Sequence, residues 1–120
     1  MNWYKKAKNQ IVQAYHGSPK PFDKFDLQFS AQGVFWFSDD INEIKNETSG
    51  AVSNEYIAHV ELFVNKTAGW EEYDNKYLQQ IDDDGFDSIH IDHNWIIFDS
   101  NRITIKNWYE KTEDGNYKLI

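Results

Sequence analysis

From Glu55 to Asn65 apolar and polar side chains trade places almost residue by residue: Tyr56, Ala58, Val60, Leu62 and Val64 fall on alternate positions. A period of two is that of a pleated strand, so this segment is predicted as a strand with those five on one face. Glu55, Ile57, His59, Glu61 and Phe63 share the other. A second strand is predicted over residues 11–18, ending at Gly17-Ser18-Pro19 with Pro21 reinforcing the turn, and a third over residues 33–38. Alternation within Phe35-Trp36-Phe37 sets the two Phe on one face and Trp36 on the other. Residues 88–92, 95–99 and 102–105 read as three further short strands around turns at His93-Asn94 and Ser100-Asn101.

The helical signals are weaker. Trp3, Ala7 and Ile11, four apart with Tyr4 and Lys8 beside them, predict a short add-on helix over residues 2–11. Asp39-Asp40 are N-cap candidates for one short helix before Gly50. Residues 73–87 suggest a helix with Tyr73, Tyr77, Leu78 and Ile81 inward, stopped before Gly85. Phe22, Phe25, Leu27 and Phe29 follow no period, and their segment reads as loop. The expected class is α+β, with about six strands, three short helices and a largely antiparallel sheet system.

The 120 residues form one domain without internal repeat or linker, and such a chain buries roughly two-thirds of the surface it exposes when unfolded. Within it, residues 1–11 are the add-on helix, 12–106 the core and 107–120 a C-terminal tail. Five Trp, seven Tyr and eight Phe mean that the core or a binding cleft is rich in rings. Lack of cysteine excludes disulfides, thiolate zinc sites and a cysteine nucleophile. Together with the lack of any apolar run of signal-peptide or transmembrane length, it leads to the expectation of a soluble, cytoplasmic protein without a membrane partner. A net charge of -8 disfavours non-specific nucleic-acid binding, and Lys5, Lys6 and Lys8 read as a solvated helix face.

The chemistry centres on His16. A lone histidine at a strand end is usually structural, but Gly17 lets a ligand approach the backbone and Ser18 adds a hydroxyl. Tyr15-His16-Gly17-Ser18, Gly33-Val34-Phe35-Trp36-Phe37-Ser38-Asp39, Gly85-Phe86-Asp87-Ser88-Ile89 and Trp95-Ile96-Ile97-Phe98-Asp99-Ser100-Asn101-Arg102-Ile103 together resemble the ordered motifs of ADP-ribosyltransferases of the His-Tyr-Glu type. They are most similar to small ART-like domains of phage and mobile-element polyvalent proteins, and more distantly to poly(ADP-ribose) polymerase catalytic domains. The resemblance spans about residues 12–106.

The resemblance implies a split antiparallel sheet clasping NAD, the co-substrate, between two small sheets. It implies that His16 hydrogen-bonds a ribose hydroxyl and Gly17 grips the nicotinamide carboxamide through its backbone. Ser18, the stacking ring Trp36 and the small hydroxyl Ser38 complete the NAD contacts. An acid at the start of a late strand would steady the oxocarbenium-like transition state as nicotinamide leaves. The chain departs from this pattern twice. The family's Tyr in the helix after the Phe-Ser strand has no aromatic counterpart, Tyr56 being the next ring available, and Asn94 stands at the acid position. Asn94 can hydrogen-bond a ribose but carries no charge. Asp92, sharing a strand face with His90, is the carboxylate that can replace it, or is simply solvated in the turn.

The implied function is an NAD-dependent mono-ADP-ribosyltransferase acting on a macromolecular acceptor, expected to be a protein, in the host cytoplasm if phage-encoded. One alternative is a catalytically degenerate ART-fold domain binding NAD, ADP-ribose or a protein partner. Another is an acidic inhibitor or nucleic-acid mimic. His90, Asp92 and His93 with Asp82-Asp83-Asp84 hold ligand types for a metal but satisfy no recognised spacing, so none is expected. Glu71-Glu72 imitate a glycosidase pair but read as surface charge. Residues 65–80, with Trp70, Tyr73 and Tyr77, are the place for an acceptor or partner surface, or for core rings.

Overall fold

The computed structural model describes residues 9–26, 33–47 and 53–120. It is an α+β structure built on one sheet. The strands are β1 (Gln10–Ser18), β2 (Phe35–Ser38), β3 (Tyr56–Val64), β4 (Thr67–Ala68), β5 (Ser88–Ile91), β6 (Asn94–Ile97), β7 (Ile103–Lys111) and β8 (Tyr117–Leu119). The helices are α1 (Ile41–Lys45), α2 (Trp70–Asn75) and α3 (Leu78–Asp83), with a 3₁₀ turn at Ser100–Arg102. All eight strands lie in the order β4-β5-β6-β2-β1-β3-β7-β8, antiparallel except for the two-residue pairing of β4 with β5.

The sheet has a seam. β1 and β3 pair over nine residues, Gln10↔Val64 to Ser18↔Tyr56, and β2 and β6 over four, whereas β1 and β2 share the single register pair Tyr15↔Ser38. His16, Gly17 and Ser18 run opposite Phe37, Trp36 and Phe35 without entering the ladder. Two side-chain clusters cover the faces. Ala14, Phe25, Phe35, Phe37, Ala58, Val60, Leu62, Val64, Trp95 and Ile97 form one, which draws on strands from both sides of the seam. Val34, Ala68, Ile81, Ile89, Ile91 and Ile96 form the other, with Trp36, Tyr73, Leu78, Phe86 and Phe98 against it. The alternation of β2 is as its sequence requires. In β3 the inward set is Ala58, Val60, Leu62 and Val64, and Ile57 on the opposite face is buried as well.

Several expectations change. Residues 10 and 11 belong to β1, Asn9 before them is not helical, and residues 2–8 of the expected N-terminal helix lie outside the described residues, as do Leu27, Phe29 and Gly50. The helix expected over 73–87 is two helices, because Lys76 and Tyr77 are extended. The break sends Tyr77 into solvent, 82% exposed, while Tyr73, Leu78 and Ile81 still reach the second cluster. The Tyr77 N–H donates to Gln80 Oε1 at 2.9 Å, which satisfies the first donor of the new helix. The expected C-terminal tail is the end of β7, a turn and β8. The turn after β5 falls at Asp92-His93, Asp92 taking a positive φ of 53°, and Asn94 opens β6.

Asp87 ties the fold together near this edge. Its carboxylate accepts from the Asn65 N–H at 3.1 and 3.2 Å, the Lys66 N–H at 2.9 Å and the Ser88 hydroxyl at 2.8 Å, with Arg102 Nη1 at 3.6 Å. Gly85, at φ +94°, supplies the left-handed residue that ends α3 and brings Asp87 there. Asp87→Ala is expected to lower the unfolding free energy by about 1–2 kcal/mol in urea titration, since it leaves the part-buried Asn65 and Lys66 N–H donors without their acceptor. A loss under about 0.5 kcal/mol would show that other contacts hold this turn.

Candidate functional site

β1 reaches the seam carrying His16. Its ring lies 5.0 Å from Phe25, 5.6 Å from Phe37 and 6.2 Å from Phe22, so the loop after Pro21 folds aromatic edges over it. Nδ1 is 2.8 Å from the Trp36 carbonyl oxygen. A carbonyl only accepts, so Nδ1 carries the proton and Nε2 is left as an acceptor. Burial lowers the His16 pKa, and the Trp36 carbonyl only partly opposes that shift. The imidazole is therefore neutral near pH 7, able to accept a ligand hydroxyl at Nε2.

The bond has a second consequence. The Trp36 carbonyl points toward β1, and hydrogen-bonding direction alternates along a strand, so Gly17, opposite Trp36, turns its N–H and C=O toward the same seam. With the carbonyl taken by an imidazole, the ladder does not close there. Gly17 is itself buried at this point and is the register partner of Ile57 on its other side.

The other expected site residues divide. Ser18 is 6% exposed, and its hydroxyl donates to the Lys20 carbonyl at 2.6 Å, which makes it a turn residue. Trp36 is half-buried and packs on the second cluster, on the opposite face of β2 from the ring of His16. Ser38 and Asn94 are register partners, and the fully buried Ser38 hydroxyl lies 3.1 Å from the Asp40 carbonyl and 3.0 Å from Glu43 Oε2. Tyr56 sits beside Ser18 in register, yet its hydroxyl donates to Glu110 Oε2 at 3.1 Å, away from β2. Asp92 does not share a face with His90: Asp92 Oδ1 accepts from Trp70 Nε1 at 3.3 Å, while His90 stacks on Trp95 at 4.1 Å. The positive φ of Asp92 is what separates them.

One constellation has no counterpart in the sequence reading. Asp40 is the N-cap of α1, accepting from the Asn42 N–H at 3.0 Å, which frees Asp39 for other work. Its carboxylate accepts from His93 Nδ1 at 2.8 Å and Trp95 Nε1 at 3.1 Å, and His90 Nε2 lies 3.3 Å away without hydrogen-bond alignment. The Asp39 N–H also donates to the His93 carbonyl at 2.9 Å. The hydrogen bond to Asp39 raises the His93 pKa. An aspartate following a strand and a histidine in a turn 54 positions on leave no local signature, so only the β2–β6 pairing makes them neighbours.

Among the described residues no group of three or more His, Asp or Glu is placed to hold a metal ion, and no helix is long and apolar enough to cross a membrane. Glu72 is buried and accepts from the Gly69 N–H at 2.8 Å, closing the start of α2. Trp70 and Tyr77, by contrast, are exposed at 46% and 82%. No protein-family model, curated protein or solved structure matches this chain.

The two perturbed histidines titrate against each other. His16, lowered in the fold, contributes stability that is present above about pH 6.5 and lost as pH falls through its folded value. His93, raised in the fold, contributes stability present below about pH 6.5 and lost as pH rises through its folded value. Urea midpoints measured from about pH 5 to 8 should therefore fall less on acidification in His16→Asn than in wild type, and more in His93→Asn. Parallel profiles in all three proteins would contradict both assignments.

Proposed function

We propose that this chain is an NAD-dependent mono-ADP-ribosyltransferase with its nicotinamide-ribose site at the β1–β2 seam. The observation that carries the reading is the single register pair joining β1 to β2, with the His16 Nδ1–H on the Trp36 carbonyl just beyond it. A carboxamide has one donor and one acceptor face, matched by the Gly17 C=O and N–H. A ribose hydroxyl finds an acceptor in His16 Nε2. The finer fold reading belongs to the same proposal: a sheet joined across one register pair divides into halves, β4-β5-β6-β2 and β1-β3-β7-β8, as an ART-like split sheet does.

In the reaction, the bond between ribose C1′ and the nicotinamide nitrogen breaks and its electron pair neutralises the pyridinium. A lone pair of the acceptor forms the new bond to C1′, and the acceptor's proton passes to water. The chain's own part is to grip and orient nicotinamide and ribose, the kind of positioning that lowers a barrier without covalent catalysis. The acceptor is proposed to be a protein and the compartment the cytoplasm, that of the host if a phage encodes the chain. Asn94 in place of an acid favours the second reading, a domain that binds NAD or ADP-ribose without turnover.

Incubation with labelled NAD and cell lysate separates the readings. Label transfer and nicotinamide release that His16→Ala reduces by ~100-fold or more are expected of the enzyme. Thermal stabilisation by NAD without nicotinamide release would establish the binding domain instead, and neither response would refute both.

A further inference from the structure

The Asp92-His93 turn between β5 and β6 is closed by contacts to elements outside its own hairpin. Asp92 stands at φ 53°, in the left-handed region that a residue with a Cβ disfavours, and its Oδ1 accepts at 3.3 Å from Nε1 of Trp70, the first residue of α2. His93 is clasped in both directions by the residue that follows β2. Its Nδ1–H donates to Asp39 Oδ1 at 2.8 Å, and its carbonyl accepts from the Asp39 N–H at 2.9 Å. Asp39 has supports besides the turn: Trp95 Nε1 donates to its other oxygen at 3.1 Å, and Asp40, next in the chain, caps α1. A strained turn is thus held shut against a fixed carboxylate.

The clasp takes up and gives up a proton without unfolding, because the His93 side chain is 56% exposed. The hydrogen bond to Asp39 first, then the charges of Asp39, Glu43 and Asp40 at the α1 corner, raise its pKa against the desolvation that lowers it. Asp92 is turned to Trp70, β5 contributes His90, and the Asn94 and Trp95 of β6 carry no charge. The clasp is therefore strongest below about pH 6.5 and weakens as pH rises through the folded value, since the imidazolium adds an ion pair to the hydrogen bond that the neutral ring keeps. His90 shows where the carboxylate goes next. Its ring stacks on Trp95 at 4.1 Å, and its Nε2 is buried without a hydrogen bond, 3.3 Å from Asp39 Oδ2. A second imidazole at the same carboxylate means that opening the turn does not leave Asp39 short of a donor.

We propose that the Asp92-His93 turn is a proton-operated latch, closed on Asp39 while His93 is protonated and released, with Asp39 passing to His90, as His93 gives up its proton. The latch sets how firmly the start of β6, at Asn94, is tied to the α1 corner. It goes beyond the NAD reading and holds whether or not the chain binds NAD.

Hydrogen exchange followed by NMR on the full chain tests this. The Asp39 amide reads the latch, because that N–H donates to the His93 carbonyl, and amides around the fully buried Leu62 of β3 read global unfolding. Rates are corrected for the intrinsic pH dependence of exchange, and the ring titration of His93 is followed in the same samples. From about pH 5.5 to 8.5 the opening constant of the Asp39 amide is expected to rise about 5-fold, with its midpoint on that of the His93 ring, while Leu62 does not follow. His93→Asn is expected to make the opening constant flat to within about 1.5-fold, and His90→Phe, which keeps a ring on Trp95 but removes the second donor, to hold the rise under about 2-fold. An Asp39 amide that opens only together with Leu62, or whose opening is unchanged through the His93 titration, overturns the latch from wild type alone. A rise in His93→Asn equal to that of wild type overturns it too, and one in His90→Phe overturns the transfer to His90.

Discussion

The bond from the His16 imidazole to the Trp36 carbonyl sets the character of this sheet. Where β1 and β2 would go on exchanging backbone hydrogen bonds, a side chain takes the acceptor, at 2.8 Å, and the strands hold together by one register pair. A buried carbonyl without a partner is costly, so the strands can part only if something else satisfies it. His16 does so under the rings of Phe22, Phe25 and Phe37, which also keep it neutral. The same substitution leaves the backbone of Gly17 turned to the seam. Structural role and candidate binding role are thus one arrangement of atoms.

What surrounds the seam keeps it in place. The first core cluster takes Ala14, Ala58 and Val60 from one side and Phe35, Phe37 and Trp95 from the other, so the halves cannot drift apart without exposing shared apolar surface. At the far end of β2, Asp39 locks onto His93 and Trp95 by side chain and backbone. That clamp fixes where Asn94 begins β6 and, through Asp40 and α1, where Glu43 stands. The acidic pairs along the chain do different jobs: Asp40 caps and Asp39 clamps, while Glu72 closes a helix start beside the solvent-facing Glu71.

Much of the fold was legible because its strands are half-buried and alternate. β3 and β2 show their inward sets in the order of residues, and the stop at Gly85 shows in one left-handed glycine. The site was legible only in part. His16 and Gly17 lie at the end of β1 and Asn94 opens β6 opposite Ser38, while Ser18 is spent on a turn and Tyr56 on Glu110. The Ser18 partner is the Lys20 carbonyl, two residues on, whereas the Tyr56 partner, Glu110, is 54 positions away and no local pattern announces it.

The sequence by itself determined the α+β class, the β2 and β3 faces, the capped short helix after β2 and the histidine-glycine pair at a strand end. These depend on neighbours within a few residues, through period, capping and backbone freedom. Tertiary structure alone decided that 73–87 breaks so that Tyr77 leaves the core, that Asp92 turns away from His90, and that Asp39 meets His93 and Trp95. Each of those outcomes is set by which strand lies next to which, and strand order is a contest among long-range pairings that the residues of one segment cannot decide.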